Sequence, residues 1–346
     1  MVRPVPAASA GRRIDQKGER TLIVNQLKTL DSKEGIMERI SPGFPLSVYQ
    51  TDFAEAEAGP GRRAEQSPEQ GRCTAGPGGV RTASPFSLVP WHWHEDFQLC
   101  LVNRGTVRFH VVRQSCRLTQ GTGLFINRRL AHMAEPESPD ASYYGINVHP
   151  CLICSQTESL VYQQMLLPLL QLSTSSLILF DKSTPEGQRL TEGFSRILSL
   201  SEQTDTAGRE LLIQSELLSA WPGLLRLGSG SGEIVSAAGN RRLKEILLYI
   251  SAHYPEKISL ASLAAHSHLS PGECSRFFHR ATGLNLFSYL LQYRIRQSRR
   301  LLSETELSIA QIALECGFSS QSYYTACFRR QEGCTPNQYR RRAQRG

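Results

Sequence analysis

The apolar positions of the last hundred residues follow a helical spacing, and the arrangement occurs twice. Leu243, Ile246, Leu247 and Ile250 recur at i, i+3, i+4 and i+7, the stripe of an amphipathic helix that stops before Pro255. Ser259 suits the N-cap of a second helix carrying Leu260, Leu263 and Ala264. Ser270-Pro271-Gly272-Glu273 then combines a capping serine, a proline at the first helical position and a glutamate that closes a capping box. The third helix runs to Gly283, a residue type suited to the turn past a helix end. Its spacing puts Cys274, Phe277 and Phe278 inward and Glu273, Ser275, Arg276, His279 and Arg280 outward. A long helix, Leu286 to Leu302, spans about 25 Å. The second copy has Ser308 capping IAQIALEC, Gly317-Phe318 in the turn, and a sixth helix opened by Ser319 or Ser320. There Tyr324, Cys327 and Phe328 point inward, and Gln321, Ser322, Thr325, Ala326 and Arg329 outward. Both copies end Phe-basic-basic-x-x-Gly, at Phe278 to Gly283 and Phe328 to Gly333. Thr335-Pro336 caps a last helix ending in Arg340-Arg341-Arg342. Short helix, tight turn, helix: the pattern is that of a duplicated helix-turn-helix.

Upstream the period changes. PLSVYQTDF, from Pro45 to Phe53, has strand character, and the Gly/Pro/polar stretch near 54–84 predicts a long surface loop. From Pro85 short apolar runs alternate with turn residues. Phe97 to Val102, then Asn-Arg-Gly, then Thr106 to Val112 reads as a hairpin; three further runs suggest a small sandwich or barrel. Around Glu158 the texture turns helical. In RELLIQSELLSAWPGLLRL, Leu211, Leu212, Leu217, Leu218, Trp221, Leu224 and Leu225 lie near helical spacing, with Pro222 a kink. That apolar face serves as core or as a dimer face, and the dimer face is the expectation. The run from Gly228 to Glu233 has linker composition. The chain is therefore expected to be α+β. Residues 1–36 form a polar, disordered tail; 37–157 a β-barrel; 158–227 amphipathic helices; 228–238 a linker; and 239–346 an all-α domain.

Charge sharpens the picture. The net charge is +8, yet from Gly239 onward about 16 Lys/Arg face 7 Asp/Glu, so the basic excess lies entirely beside the repeated motif. Segregated positive charge favours a polyanionic partner, because phosphate neutralisation supplies most of non-specific affinity. No run of 18 apolar residues occurs, and the basic N-terminus lacks the apolar core of a signal peptide; no membrane partner and a cytoplasmic location are expected. Nine scattered cysteines argue against a disulfide framework, and Cys151-Leu-Ile-Cys154 has redox spacing without a surrounding βαβ pattern.

The residues now carry a resemblance. Leu263-Ala264-Ala265, Leu269-Ser270-Pro271, Ser275-Arg276-Phe277-Phe278 and Thr282-Gly283 belong to one pattern. So do Ser308-Ile309-Ala310, Gly317-Phe318-Ser319, Gln321-Ser322-Tyr323-Tyr324, Phe328, Gly333 and Thr335-Pro336. Residues about 240 to 343 resemble the paired helix-turn-helix domain of AraC/XylS-type transcriptional regulators. The resemblance implies that the third and sixth helices read double-stranded DNA at a promoter or operator. Ser275 and Arg276, flanked by His279 and Arg280, would serve in the first unit, and Gln321, Ser322, Thr325 and Arg329 in the second. Ala326 stands where some relatives carry a basic residue, which makes the second unit the weaker reader.

Trp91-His92-Trp93-His94, Gln98, Gly105, Gly123 and His132 resemble the two motifs of cupin barrels. In cupin enzymes His-x-His-x3-Glu and a later His hold a metal. Here Gln98 replaces the carboxylate, so no metal and no cofactor are expected, and the cupin-like barrel is read as a sensor. His94, Gln98, Phe109 and His132 would line its pocket for a small-molecule effector. The chain is thus expected to be a non-enzymatic, ligand-controlled transcription regulator, homodimeric, with RNA polymerase a further candidate partner. The alternative is a metal-dependent cupin enzyme with a helical extension.

Overall fold

The computed structural model describes residues 38–39, 44–53, 89–171, 177–203, 207–228 and 236–344. The expected tail (1–36), the expected loop near 54–84 and most of the expected linker lie outside the described residues. Ten strands are described: β1 (Glu38–Arg39), β2 (Leu46–Asp52), β3 (Val89–His92), β4 (Phe97–Arg104), β5 (Thr106–Val111), β6 (Gln114–Thr119), β7 (Gly123–Ile126), β8 (His132–Pro136), β9 (Ser142–Val148) and β10 (Leu177–Phe180). They form two antiparallel sheets, in the orders β1-β2-β9-β4-β7-β10 and β3-β8-β5-β6.

Position in the sheets explains the burial patterns. β5 alternates, with Val107, Phe109 and Val111 buried between half-exposed neighbours, as a strand with one solvated face should. β4 is buried at six successive positions because both of its faces are covered. Cys100 and Val102 join the inter-sheet core with Phe109 and Tyr143, while Phe97, Leu99 and Leu101 join a core under the helices.

The expected hairpin of β4 with β5 is not formed. β4 pairs with β7 and β9, whereas β5 pairs with β6 and β8. Gly105 has φ of +62° and packs so tightly on Ser138 and Asp140 that a Cβ would collide. Its turn carries the chain around a corner from one sheet to the other. The local turn signal was genuine, but the pairing it implied was not. The hairpin that does form joins β5 to β6 through Val112, at φ of 51°.

After a π-helical turn at Tyr162–Leu166 come α1 (Leu167–Gln171), α2 (Pro185–Glu202) and α3 (Arg209–Gly228). β10 lies within the stretch read as helical: its four apolar residues carry no period long enough to separate strand from helix, and pairing with β7 decides. α2 and α3 cover the larger sheet. Trp221 seats its ring 5.4 Å from Phe97 and 6.2 Å from Phe125, and its indole N–H donates to the Met165 carbonyl at 3.1 Å.

The C-terminal part is all helical: α4 (Ala237–His253), α5 (Leu260–His266), α6 (Pro271–Thr282), α7 (Leu286–Glu304), α8 (Ile309–Glu315), α9 (Gln321–Glu332) and α10 (Pro336–Ala343). Each start predicted from sequence is capped by the expected residue: Ser259, Ser270, Ser308, Ser320 and Thr335. The first helix-turn-helix packs around Leu243, Ile246, Leu263, Cys274 and Phe278, and this cluster runs without a break into the inter-sheet core. The second packs separately around Ile295, Leu302, Ile312, Tyr324 and Phe328. α7 contributes to both.

Candidate nucleic-acid interface and effector pocket

Two short turns set the recognition helices. Between α5 and α6 the chain passes through His268 at φ of 54°, and Leu269 N–H returns to the Ala264 carbonyl at 2.9 Å. Between α8 and α9 it passes through Gly317 at φ of 77°, and Phe318 N–H returns to the Ala313 carbonyl at 2.9 Å. The two units share one backbone solution, a left-handed residue that satisfies the orphan carbonyls of the first helix. In the first unit Ser270 and Glu273 form the reciprocal capping box, and these hydrogen bonds hold the Glu273 carboxyl below its usual range.

The faces divide as the spacing predicts. On α6, Cys274 and Phe278 are buried and Phe277 half-buried, while Arg276, His279 and Arg280 are exposed and Ser275 is half-exposed. On α9, Tyr324, Cys327 and Phe328 are buried; Gln321, Ser322 and Arg329 are exposed and Thr325 is half-exposed. An open groove of about 790 Å³ runs along α9, lined by Gln321, Ser322, Thr325, Ala326, Arg329 and Arg330, with Thr335 at its end. It brings together all four residues proposed for this helix. Arg330 was missed as a candidate, although it stands in the Phe-basic-basic pattern. Gly272 gives the Arg276 side chain room: a Cβ there would come within 3.2 Å of the guanidinium.

The four arginines of α7 are engaged within the chain. Arg294 donates to the carbonyls of Tyr254 and Glu256 at 2.7 Å each. Arg296 lies over the Tyr293 ring, Arg299 donates to the Tyr339 hydroxyl at 3.1 Å, and Arg300 pairs with Glu304. Arg294 and Arg299 tie α7 to neighbouring elements, while Arg296 and Arg300 make their contacts within α7.

In the β-domain, His92, His94 and His132 converge so that one ring nitrogen of each lies within 4.8 Å of the others. His92 and His132 are buried, and His94 is half-buried. Each Nδ1 sits against a backbone carbonyl: His92 on Pro90 at 2.8 Å, His94 on Asp96 at 2.9 Å and His132 on Leu130 at 2.8 Å. Burial and the two neighbouring imidazoles hold the His132 ring well below the usual histidine range, so it is neutral. Gln98 places its Oε1 3.3 Å from His94 Nε2, and its amide N–H donates to the Tyr49 hydroxyl. Three of the four expected pocket residues, His94, Gln98 and His132, therefore meet. Phe109 faces the same core, but its ring contacts Tyr143 at 5.1 Å. Trp91 and Trp93 are buried, and the Lys244 ammonium lies 5.0 Å above Trp93.

The segment leading to His132 also meets the helical part. Arg129, at φ of 61°, donates its N–H to the His94 carbonyl at 2.8 Å. Its own carbonyl accepts from Asn240 Nδ2 at 2.9 Å and from Lys244 Nζ at 3.4 Å. Ala131 N–H donates to Asn240 Oδ1 at 3.0 Å.

Known proteins resemble both halves. The family model described as "AraC-like ligand binding domain" matches residues 82–220, and that described as "Helix-turn-helix domain" matches residues 263–342. The HTH-type transcriptional regulator YdeC of Bacillus subtilis is 30% identical over 259 residues, covering 73% of this chain and 86% of its own. The HTH-type transcriptional activator RhaS of Escherichia coli is 27% identical over 268 residues, covering 74% and 89%. Among solved structures, ToxT from Vibrio cholerae O395 covers 74% of this chain and 92% of its own at 12% identity, with a TM-score of 0.38.

Proposed function

The chain belongs to the AraC/XylS family of DNA-binding transcription regulators, and from that premise we propose how its parts divide the work. α6 and α9 enter successive major grooves on one side of a DNA duplex. α7, between them, has 19 residues and is about 28 Å long, close to the roughly 34 Å of one DNA turn. Arg276 and Ser275 read bases for the first unit, Gln321, Ser322 and Thr325 for the second, and His279, Arg280, Arg329 and Arg330 neutralise phosphates. The observation that carries this reading is the pair of capped helices with one buried face and one solvent face of short polar and basic residues.

The β-domain binds a small effector at the cluster of His94, Gln98 and His132. An effector that favours one arrangement of the two domains shifts the population competent to dock on DNA. α3 is the self-association face: Leu211 is 71% exposed and Leu212 47%, on a helix whose opposite side buries Ile213, Leu217 and Trp221. The relatives are transcription regulators, which supports a role without catalysis. Among the described residues no helix is long and apolar enough to cross a membrane, and a regulator of promoters works in the cytoplasm.

A mobility-shift titration against the region upstream of the chain's own gene tests the reading. Specific binding should exceed that to random-sequence competitor and weaken steeply with salt, since each neutralised phosphate adds about 0.9 to the log–log slope. Equal affinity for both DNAs would sink it.

A further inference from the structure

Cys151-Leu-Ile-Cys154 stands outside the machinery described so far. The segment leaves β9 through a tight turn. Leu152 N–H donates to the His149 carbonyl at 3.0 Å, and the N–H groups of Ile153 and Cys154 both donate to that of Pro150, at 3.0 and 3.3 Å. In such 3-10 and α-type turns, residues three apart lie on one side, with Cα atoms about 5–6 Å apart. A disulfide accepts a Cα separation of about 4.4–6.8 Å. Exposure sets the pair apart from the other thiols. Among the described residues Cys100, Cys274, Cys316, Cys327 and Cys334 are buried, and Cys116 and Cys154 are half-buried; Cys151 is exposed. A base stands beside that exposed thiol. His149 Nδ1 accepts the Cys151 backbone N–H at 3.3 Å, so it carries the ring's lone pair, and Cys151 Sγ lies 3.0 Å from the same atom. The S–H is therefore the donor, and its proton has a place to go. Burial, and after it the Asp96 carboxylate, raise the Cys151 thiol above its usual range. Free thiolate is thus scarce, and reaction depends on transfer to His149.

We propose that Cys151 and Cys154 form a redox-active dithiol that reacts with hydroperoxides, with His149 as its base. Cys151 Sγ passes its proton to His149 Nδ1 and attacks one peroxide oxygen. The O–O bond breaks, and the leaving oxygen takes the proton back from His149. The peroxide is reduced to an alcohol, or to water in the case of hydrogen peroxide, and Cys151 is oxidised to a sulfenic acid. Cys154, whose Sγ lies 3.1 Å from the Ser159 hydroxyl, then attacks the Cys151 sulfur. The S–S bond forms, the S–O bond breaks, and the Cys154 proton leaves with the hydroxyl as water. Both thiols and one hydroperoxide thus give a disulfide, an alcohol and a water.

The turn is also tied to the helix read as the self-association face. Gln214 Nε2 of α3 donates to the Leu152 carbonyl at 2.8 Å, and Leu152 and Ile153 are buried in the core beneath α2 and α3. An S–S bond of about 2.05 Å draws Cys151 away from His149 and Cys154 away from Ser159, and so reshapes the turn that Gln214 holds. Oxidation is thereby felt by α3. This second step rests on the proposed role of α3; the dithiol does not.

The test treats the full, reduced chain with hydrogen peroxide, follows the loss of thiols and maps linked peptides by mass spectrometry. The first product should be a peptide joining Cys151 to Cys154. Cys154→Ser should stop at the sulfenic acid, trapped by dimedone on Cys151, and Cys151→Ser should abolish the early phase. His149 is exposed, so His149→Gln spares the core; it should slow the early phase about 100-fold, the lower end of general-base assistance. Earlier reaction of another cysteine, no link between Cys151 and Cys154, or an undiminished rate in His149→Gln overturns the site. In analytical ultracentrifugation, oxidation should change the self-association constant at least about fivefold, the low end of typical coupling. Gln214→Ala should keep the disulfide and lose that change. Self-association indifferent to oxidation overturns the coupling alone. Absence of self-association in both states, with the disulfide still formed, overturns the reading of α3 and leaves the dithiol standing.

Discussion

Under the proposed function, single residues decide both the reading of DNA and the turn that presents it. Arg276 and Gln321 stand on different helices, so truncating each should relax specificity at a different half of the site. A bidentate base contact discriminates by about 1–3 kcal/mol. Base-by-base competition for Arg276→Ala and Gln321→Ala checks this; if both profiles match the parent, the assigned faces are wrong. The left-handed turn positions give an opposed pair. Gly317→Ala combines an unfavourable φ with a Cβ 2.5 Å from the Pro255 carbonyl oxygen and 2.7 Å from that of Tyr254, and should cost more than about 2 kcal/mol. His268→Gly relieves a left-handed strain of about 1–2 kcal/mol against a backbone-entropy cost of about 0.5–1, and should stabilise slightly. Urea titrations measure both. Glu137 supplies a pH dependence. Burial alone would raise its carboxyl, but hydrogen bonds from Arg117, at 2.6 Å, and Arg108 hold it below the usual 4.5. A lowered folded value gives stability that is present above the unfolded pKa and lost as the pH falls through the folded one. Glu137→Gln should therefore cost at most about 1 kcal/mol at pH 7, and progressively less as the pH falls through the lowered folded value; a cost that does not change with acid would refute the ion-pair account.

At the scale of elements, the helices were legible because their signals are local. Ser270-Pro271-Gly272-Glu273 marks a start and Gly283 an end through contacts within one turn, and both are where the sequence puts them. The strands were less legible. Asn103-Arg104-Gly105 makes a turn in any topology, but whether β4 and β5 then pair depends on Ser138 and Asp140, more than 30 residues away. β10 lies hidden in a stretch of helical texture for the same reason: its partner β7 lies more than 50 residues upstream. α3 shows what periodicity leaves open, since its leucines divide between core and surface only once the sheet is in place. Leu217 and Leu224 are 3% and 0% exposed, against 71% for Leu211. Leu211→Glu with Leu212→Glu should therefore leave the thermal midpoint within a few degrees and shift the chain to monomer in analytical ultracentrifugation. An unchanged sedimentation coefficient would place any self-association elsewhere.

For the whole molecule, one continuous apolar cluster joins the inter-sheet core to the first helix-turn-helix, while the second keeps its own. The two units, alike in sequence, are thus unequal in mechanical position: among the described residues, Arg129 and Asn240 tie the proposed effector site to the first. An effector should alter contacts made by α6 before those made by α9, and footprinting with and without effector would resolve the order. The sequence by itself determined the duplicated motif, its caps and its outward faces, because helix periodicity and capping act over four residues or fewer. It also named His92, His94, Gln98 and His132 as companions, on resemblance alone. Only the tertiary structure decided that the Nδ1 of each of the three histidines sits on a backbone carbonyl and that Asn240 grips the adjoining segment. Those facts depend on strands and helices distant in sequence meeting in space, which no local pattern encodes.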